Sequence, residues 1–328
     1  MSHSNIAIFV PHLGCPCKCS FCNQFSLPEH ITIPHAADVD NSVMRALQSK
    51  KYDPSNGEIA FFGGSFTAIN RNLMLELLTV AKHHIDLGHA KGIRISTRPD
   101  CIDDGILSIL RDYGVTSIEL GAQSMRDSVL TANGRGHTAS DVESASQLIK
   151  SNGFELGLQM MTGLYGDDDD GAVYTAQKFI DIAPETVRIY PTIVLEDTAL
   201  AEKFRNGEYT PQSVNDAAAL CSRLLPMFEN AGIKVIRLGL HSIDLERYVA
   251  GPWHPAFSEI CESLIYSKII AKELTEKGSY KVFTAPRELS KTLGQCKSNK
   301  EYFENNGFYI DFYTDSGLTP RNIRVERK

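Results

Sequence analysis

Residues 6–23 read IAIFVPHLGCPCKCSFCN and join a strand-like run to a loop dense in cysteine. The run from 6 to 13 is almost continuously apolar or β-branched, as expected for a strand buried on both faces. Cys15, Cys19 and Cys22 follow it with C-x3-C-x2-C spacing. Three thiolates on one loop can hold three irons of a four-iron cluster and leave the fourth iron open to another ligand. The stretch therefore predicts a reactive iron–sulfur site at the carboxyl end of a first strand.

Cys17 lies inside this loop but does not fit the spacing of the three predicted ligands. We interpret it as a bystander thiol, or as one that can be oxidised or can bind iron in place of a ligand. A structural zinc site is the alternative interpretation, because four cysteines within eight residues supply four sulfurs. Zinc sites usually take two pairs of ligands separated by a longer loop, and no second C-x-x-C or histidine pair follows at that distance.

Strand-like runs recur at regular intervals after this first one. They occupy 6–13, 58–64, 92–99, 115–123, 154–164 and 186–195. Helical patterns lie between the runs, and this alternation indicates a parallel α/β sheet with right-handed crossovers. A curved, open barrel and a flat doubly wound sheet both fit the pattern. In either architecture ligands gather at the carboxyl ends of the strands, so the polar and glycine residues there are the candidates for chemistry.

The alternation of strands and helices ends near residue 197. Helical stretches, a strand-like run at 234–240 and a charged tail follow it. No linker rich in Pro, Gly or Ser and no internal repeat separates the two parts. We predict a core barrel over 1–200 and a C-terminal α+β extension over 201–328, packed on the barrel and not an independent domain.

The bulk composition is that of a globular protein, with 328 residues, 42% hydrophobic, 22% charged and a formal net charge of −7. The acidic balance argues against a strongly basic nucleic-acid platform, although a local basic groove is compatible with it. The remaining cysteines are scattered, and no signal peptide or run of about 20 apolar residues is present. We therefore expect a reducing, cytoplasmic location and no membrane association.

The cysteine motif after the first strand resembles that of the radical S-adenosylmethionine (SAM) superfamily. Further blocks resemble its Elp3-like branch: GGSFT (63–67), ISTRPD (95–100), IELGAQS (118–124), RGHT (135–138), MMTGL (160–164) and VRIYPTIVLEDT (187–198). The resemblance covers about 6–200 and is that of a short form lacking the acetyltransferase domain. It implies a partial (β/α)6 barrel similar to a TIM barrel, a 4Fe-4S cluster and SAM as cofactors, and Cys15, Cys19 and Cys22 as the metal ligands.

The same resemblance implies SAM contacts at the ends of strands two to four. Gly63 and Gly64 would admit the amino group of SAM against the backbone, or else they form a tight turn. Ser96 and Arg98 lie two residues apart and face the same side. Arg98 would bind a carboxylate of SAM or of substrate, or else pair with an acid such as Glu119. Glu119 itself would accept hydrogen bonds from ribose, or form a structural salt bridge.

Four further residues complete the predicted cofactor-binding set. Gln123 brackets the end of strand four together with Glu119, and Arg135 in the RGHT block would contact the SAM carboxylate. Gln159 on strand five could reach ribose. Tyr190 on strand six would lie along adenine or substrate, or else pack in the core.

The resemblance implies a radical SAM enzyme, in which SAM is cleaved reductively and a 5′-deoxyadenosyl radical takes hydrogen from a substrate. Elp3-like modification of the wobble uridine of tRNA is one candidate reaction, and modification of a small molecule or peptide is another. A non-catalytic iron–sulfur electron-transfer protein is the alternative of a different class. The enzyme reading implies a one-electron reductant of flavodoxin or ferredoxin type as partner. The sequence does not indicate the product or the oligomeric state.

Overall fold

A computed structural model describes residues 4–11, 15, 17–22, 33–240, 243 and 245–328. Seven parallel strands form a curled half-barrel sheet in the order β1-β2-β3-β4-β5-β6-β8. There are two smaller sheets: β7 pairs with β9 in one, and the last three strands form the other in the order β11-β10-β12. The strands are β1 (Ser4–Val10), β2 (Gly57–Gly63), β3 (Gly92–Thr97), β4 (Val115–Gln123), β5 (Glu155–Thr162), β6 (Thr186–Pro191), β7 (Val194–Leu195), β8 (Lys234–Leu238), β9 (Tyr248–Ala250), β10 (Gly278–Thr284), β11 (Phe308–Thr314) and β12 (Ile323–Arg327).

Helices between the sheet strands pack on the convex face of the half-barrel. These helices bury their apolar stripes. In α3, Ile106, Leu107 and Leu110 are buried in the core. Asp103 caps the first turn of α3, because its side chain accepts a hydrogen bond from the Ile106 amide. The helices are α1 (Ala36–Leu47), α2 (Arg71–Asp86), α3 (Asp104–Asp112), α4 (Asp127–Ala132), α5 (Ala139–Ser151), α6 (Asp169–Ile182), α7 (Ala199–Arg205), α8 (Val214–Asn230), α9 (Phe257–Glu273), α10 (Leu289–Leu293) and α11 (Ser298–Asn305).

The two faces of the curled sheet differ in chemistry. On β1, Ile6, Ile8 and Val10 are buried, whereas the alternate residues, including Phe9, are exposed. Because alternate side chains of a strand point to opposite faces, the apolar set contacts the helices and the other set lines the concave face. That concave face carries buried charges farther along the sheet, such as Arg94 and Glu119. The alternation along the strands thus places polar side chains on the concave face of the sheet and apolar side chains on the face that contacts the helices.

The sheet confirms the predicted α/β half-barrel and adds one strand to it. Parallel pairing runs through the six predicted strands, and β8 then pairs in parallel with β6. The sixth predicted run, 186–195, divides into β6 and the short β7.

The last part of the chain builds its own small core. The strands β10, β11 and β12 cover a cluster that includes Tyr280, Val282, Phe303 and Ile310, and Ile270 of α9 belongs to the same cluster. Helix α9 in turn packs against α8, so the small sheet is joined to the half-barrel through these two helices. Among the described residues, the helices are all too short or too polar to cross a membrane.

Candidate functional site

A cavity with about 780 Å³ of empty space opens at the carboxyl ends of β1 to β5. Its wall contains four cysteines, the end of β2 and polar side chains of β3 to β5. Ten of the twelve residues predicted as metal or cofactor ligands line it, namely Cys15, Cys19, Cys22, Gly63, Gly64, Ser96, Arg98, Gln123, Arg135 and Gln159. The structure therefore brings together residues that lie up to 144 positions apart in the sequence.

The cysteine loop is held by hydrogen bonds from two neighbouring segments. The Ser20 amide donates to the Asn133 carbonyl at 3.0 Å, and the Ser20 hydroxyl donates to Asn133 Oδ1 at 2.7 Å. The Leu200 amide, at the start of α7, donates to the Ser20 carbonyl at 2.8 Å. Phe21 packs against the apolar cluster around Leu200. The loop is thus fixed in the stretch between Cys19 and Cys22.

Two thiols of the loop contact polar groups of the barrel. Arg135 Nη1 donates to Cys19 Sγ at 3.2 Å, and its Nη2 donates to the Gly121 carbonyl. Cys15 Sγ lies 3.7 Å from the Ser65 hydroxyl. A guanidinium that points at a thiolate stabilises negative charge there.

Arg98 stands beside the same thiols but is oriented by a carboxylate. Its Nε and Nη2 each donate to Asp100 at 2.8 Å, and Nη2 also donates to the Arg135 carbonyl. The acid that pairs with Arg98 is therefore Asp100, not Glu119 as the sequence suggested. Burial opposes the charge of Arg98, and Asp100 outweighs it, with smaller contributions from Cys17 and Cys19, so the pKa of Arg98 is raised.

Cys17 also faces the cavity and packs against the RGHT segment. A Cβ added at Gly136 would lie 2.6 Å from Cys17 Sγ, so the glycine makes room for this thiol. Gly136 has φ +72°, a conformation that glycine adopts at little cost. The interpretation of Cys17 as a bystander stays a prediction.

The backbone is unusual at two lining residues. Gly63 has φ +118°, and a Cβ there would stand 2.3 Å from the Val10 carbonyl, so only glycine fits. Gln123 has φ +69° at the end of β4, beside a break in register with β5. Its Oε1 is buried without a hydrogen-bond partner in the described part of the chain. Backbone strain and an unsatisfied acceptor at a cavity wall are typical of a ligand contact.

Glu119 and Tyr190 lie outside the lining. Glu119 is 1% exposed and accepts from Arg188 Nε at 2.7 Å, Arg188 Nη2 at 2.8 Å and Gln159 Nε2 at 2.8 Å. Burial opposes the charge of Arg188, and Glu119 outweighs it, so the pKa of Arg188 is raised. Burial raises the pKa of Tyr190, an effect that Arg188 opposes and Glu119 reinforces. Ribose contact for Glu119 and adenine contact for Tyr190 stay predictions.

The donor set of the cavity fits a cluster with one open iron. Among the described residues, no three His, Cys, Asp or Glu side chains are grouped as ligands of a single ion. A cluster does not require such a group, because its cysteines ligate different irons. The thiols instead spread around a wall that also holds buried, unpaired Gln123 Oε1 and Arg135 Nε. Those polar atoms fit a second, polar ligand beside the cluster, as SAM would be.

Several lining residues were missed in the sequence. Ser65 and Thr97 directly follow residues that were predicted, and Gly121 lies within the IELGAQS block. Phe21 lies between two cysteines. The positions of Ser65 and Gly121 inside quoted blocks are the signal that could have found them. Phe21 carries no such signal, because an aromatic residue in a loop is equally compatible with packing.

Comparison with protein families agrees with this geometry. The model of the radical SAM superfamily matches residues 9–179, more than half of the chain. The model of the radical SAM C-terminal domain matches residues 184–266, which include β8 and its helix α8.

Individual relatives carry related descriptions. A tRNA uridine(34) acetyltransferase of Dehalococcoides mccartyi is 25% identical over 63% of this chain and 52% of its own length. Human Elongator complex protein 3 is 32% identical over 42% of this chain and 25% of its own. An uncharacterized protein of Methanocaldococcus jannaschii is 26% identical over 81% of this chain and 84% of its own. The chain thus spans about half the length of the first of these relatives.

Among solved structures, Elp3 of Methanocaldococcus infernus, lacking its residues 1–46, superposes with a TM-score of 0.66. The superposition covers 85% of this chain and 66% of that one, at 20% identity. At this identity the likeness shows a shared fold.

Proposed function

This chain belongs to the radical SAM superfamily, in its Elp3-like branch, and from that membership we propose that its cysteine cavity cleaves SAM to modify tRNA. The chain is an enzyme that uses a 4Fe-4S cluster and SAM. One observation carries the proposal for the cavity: the three motif cysteines share a wall with Gly63, Gln123 and Gln159.

A bound cluster would supply the electron for reductive cleavage of a carbon–sulfur bond of SAM, and SAM would supply the group that abstracts a hydrogen atom from substrate. Cys15, Cys19 and Cys22 hold the cluster in this proposal. Arg135 donates to Cys19 and so stabilises negative charge on the ligand sulfur. Gly63 admits SAM close to the backbone.

Polar residues of β3 to β5 position the remaining parts of SAM. Gln159 is oriented by Glu119, to which its Nε2 donates at 2.8 Å, so its amide is fixed at the cavity wall. Gln123 offers a buried acceptor that lacks a protein partner among the described residues. Arg98, held by Asp100, adds a positive charge next to the thiols. Fixed dipoles of this kind bind a ligand without reorganising.

Anaerobic reconstitution tests the ligand set and the cleavage together. We expect the reconstituted chain to form 5′-deoxyadenosine and methionine from SAM with dithionite. Cys15→Ala, Cys19→Ala and Cys22→Ala should each lose the cluster, measured as bound iron and sulfide, and with it SAM cleavage. Cys17→Ala is the matched control and should keep both. Cleavage retained by Cys19→Ala would contradict the ligand assignment, and an iron-loaded chain that neither binds nor cleaves SAM would contradict the enzyme activity.

We propose uridine 34 of tRNA as the substrate. Relatives described as tRNA uridine(34) acetyltransferases and as Elongator complex protein 3 support this choice. SAM cleavage needs one electron, and we propose a flavodoxin- or ferredoxin-type protein as its donor.

Isotope transfer tests the substrate. The reconstituted enzyme is incubated with SAM and bulk tRNA from cells grown in deuterated medium, and deuterium in 5′-deoxyadenosine is measured by mass spectrometry. We expect transfer from this tRNA and none from tRNA species whose position 34 is not uridine. If deuterium is transferred only from the small-molecule or peptide fraction of a labelled cell extract, the substrate is a small molecule or a peptide and not tRNA.

A further inference from the structure

A pair of arginines lies on the concave face of the sheet, next to the cavity. Gln159, Arg188 and Arg237 are register partners on the neighbouring strands β5, β6 and β8. Gln159 lines the SAM cavity, and neighbouring strands lie about 4.8 Å apart, so the backbone of Arg237 is roughly 10 Å from that of Gln159. This is a distance at which a substrate could reach both.

The two arginines differ in how their charges are compensated. Arg188 is matched by Glu119 through two hydrogen bonds, and Arg94 is matched by Glu58 at 2.7 Å. Arg237 donates only to backbone carbonyls, those of Gly239 and Leu240. In the part of the chain that the structure describes, no carboxylate pairs with Arg237. Among those described residues, the charge of Arg237 is therefore not balanced by a carboxylate on this face.

Further donors surround that charge. The bonds of Arg188 to Glu119 use Nε and Nη2, and its guanidinium also interacts with the Tyr190 hydroxyl. Tyr190 follows Arg188 by two residues on β6 and so shares its face. Its hydroxyl interacts electrostatically with both guanidiniums. Burial lowers the pKa of Arg237, and the positive charge of Arg188 adds to this effect, which an anion between them would reverse.

We propose that Arg237, Arg188 and Tyr190 form a binding site for one anionic group of the substrate, a phosphate or a carboxylate. The proposal rests on the proposed function, because it assumes that substrate occupies the concave face in front of SAM. The guanidinium of Arg237 suits either anion, and the neighbouring Arg188 guanidinium and Tyr190 hydroxyl complete the site. The site would then select substrates that carry a negative charge at a fixed distance from the reactive C–H bond.

Calorimetric titration of the reconstituted chain with inorganic phosphate, and separately with acetate, tests the site without turnover. We expect one of the two anions to bind the wild-type chain. Arg237→Gln should weaken that binding by about tenfold to a hundredfold, as for the loss of a charged hydrogen-bond partner. The affinity of Arg237→Lys for the anion should lie between those of the wild-type chain and of Arg237→Gln, because lysine keeps the positive charge but lacks the planar guanidinium. Preference for phosphate indicates a phosphoester substrate, and preference for acetate a carboxylate substrate.

Lys234→Gln is the matched control, because it removes one exposed positive charge from the same strand. It should bind the anion as the wild-type chain does. If Arg237→Gln proves unstable in a thermal melt, Arg237→Lys and Tyr190→Phe give the answer. No heat with either anion in the wild-type chain, or equal weakening in Lys234→Gln and Arg237→Gln, would overturn the anion site. Neither result bears on the proposed SAM cleavage, which is measured in a separate assay.

Discussion

At the scale of single residues, Arg135 connects the cluster loop to the barrel. Its two terminal nitrogens donate to Cys19 Sγ and to the Gly121 carbonyl, and the side chain is 7% exposed. A buried positive charge that donates to a ligand sulfur stabilises the more negative, reduced cluster over the oxidised one. We therefore expect Arg135 to raise the reduction potential of a cluster bound through Cys19.

Arg135→Gln should lower the midpoint potential of the reconstituted cluster. A differential interaction of about 1.4 kcal/mol corresponds to roughly 60 mV for one electron, so we expect a decrease of that order. Electron paramagnetic resonance during a potentiometric titration measures it. Arg126→Gln is the control, since Arg126 pairs with Asp168 away from the thiols and its loss should leave the potential unchanged. An unchanged potential in Arg135→Gln, with the cluster fully loaded, would limit Arg135 to a structural or SAM-binding role.

At the scale of elements, the end of α4 holds the cysteine loop. Asn133 is fully buried at the C-cap of α4, where its amide donates to the carbonyls of Val129 and Tyr165 while its oxygen accepts from Ser20. Removing the amide leaves buried polar groups on two segments unsatisfied. Such groups cost about 1–3 kcal/mol each.

Asn133→Ala should therefore lower both the free energy of unfolding and the iron content after reconstitution. Urea unfolding and iron analysis measure the two effects. Asn306→Ala is the matched control. Asn306 caps α11, and its side-chain amide donates to the Tyr302 carbonyl at 2.7 Å, as that of Asn133 donates to the Val129 carbonyl. Asn306, however, is exposed. Normal iron content in Asn133→Ala would show that the loop does not need this anchor.

A second element-scale feature is the ion network that ties β3, β4, β5 and β6 together beneath the cavity. Glu119 accepts from Arg188, Gln159 and, at 3.4 Å, Arg94. Glu119→Gln would leave Arg188 buried without its carboxylate, and breaking a buried pair in this way typically costs 3–5 kcal/mol. We expect a loss of about that size in urea unfolding.

The double variant Glu119→Met with Arg188→Met separates the structural role of Glu119 from a role in SAM binding, whether direct or through Gln159. Replacing both charges by apolar groups should restore much of the stability, because no unpaired charge remains. If Glu119 also acts on SAM by either route, the restored protein will still bind SAM more weakly than wild type. Unchanged stability in Glu119→Gln would contradict the structural role.

At the scale of the whole molecule, the sequence predicted what depends on local pattern. Continuous apolar runs located the strands of the half-barrel, and the cysteine spacing located the loop at the end of β1. The pairing of Arg188 with Glu119 could not be predicted in this way, because it depends on how far the sheet curls between β4 and β6. The pairing of Arg98 with its near neighbour Asp100 could not be predicted either, because it depends on the turn of the chain at Pro99.

The place of β8 was not predictable for a related reason. Its strand-like pattern is evident, but membership of the half-barrel depends on α8 returning the chain beside β6. The boundary at residue 200 between core and extension remains our proposal for chain organisation. The parallel pairing of β6 with β8 shows that the sheet itself continues past it.

Global stability should depend on pH through Asp167, at the start of α6. Its side chain is 1% exposed, and Arg126 Nη1 lies 3.6 Å from its Oδ1. Burial raises the pKa of Asp167 to about 6 from 3.8. The folded chain thus binds a proton between these values where the unfolded chain does not. The stability from this group is present below pH 3.8 and is lost as the pH rises through 6.

Asp167→Asn removes this titration while keeping the shape of the side chain. Relative to wild type, the variant should gain about 2 kcal/mol in free energy of unfolding as the pH rises from about 4.5 to 7.5, because about 1.5 pH units of this range lie below the folded-state pKa and each unit corresponds to 1.36 kcal/mol. Urea unfolding of both proteins across this range measures the gain. The difference between them cancels other titrating groups, such as His137, whose pKa burial lowers to about 4. Asp181→Asn, at an exposed position of the same helix, is the matched control for the change from Asp to Asn. A difference between Asp167→Asn and wild type that does not vary with pH would show that the pKa of Asp167 is not raised in the folded protein.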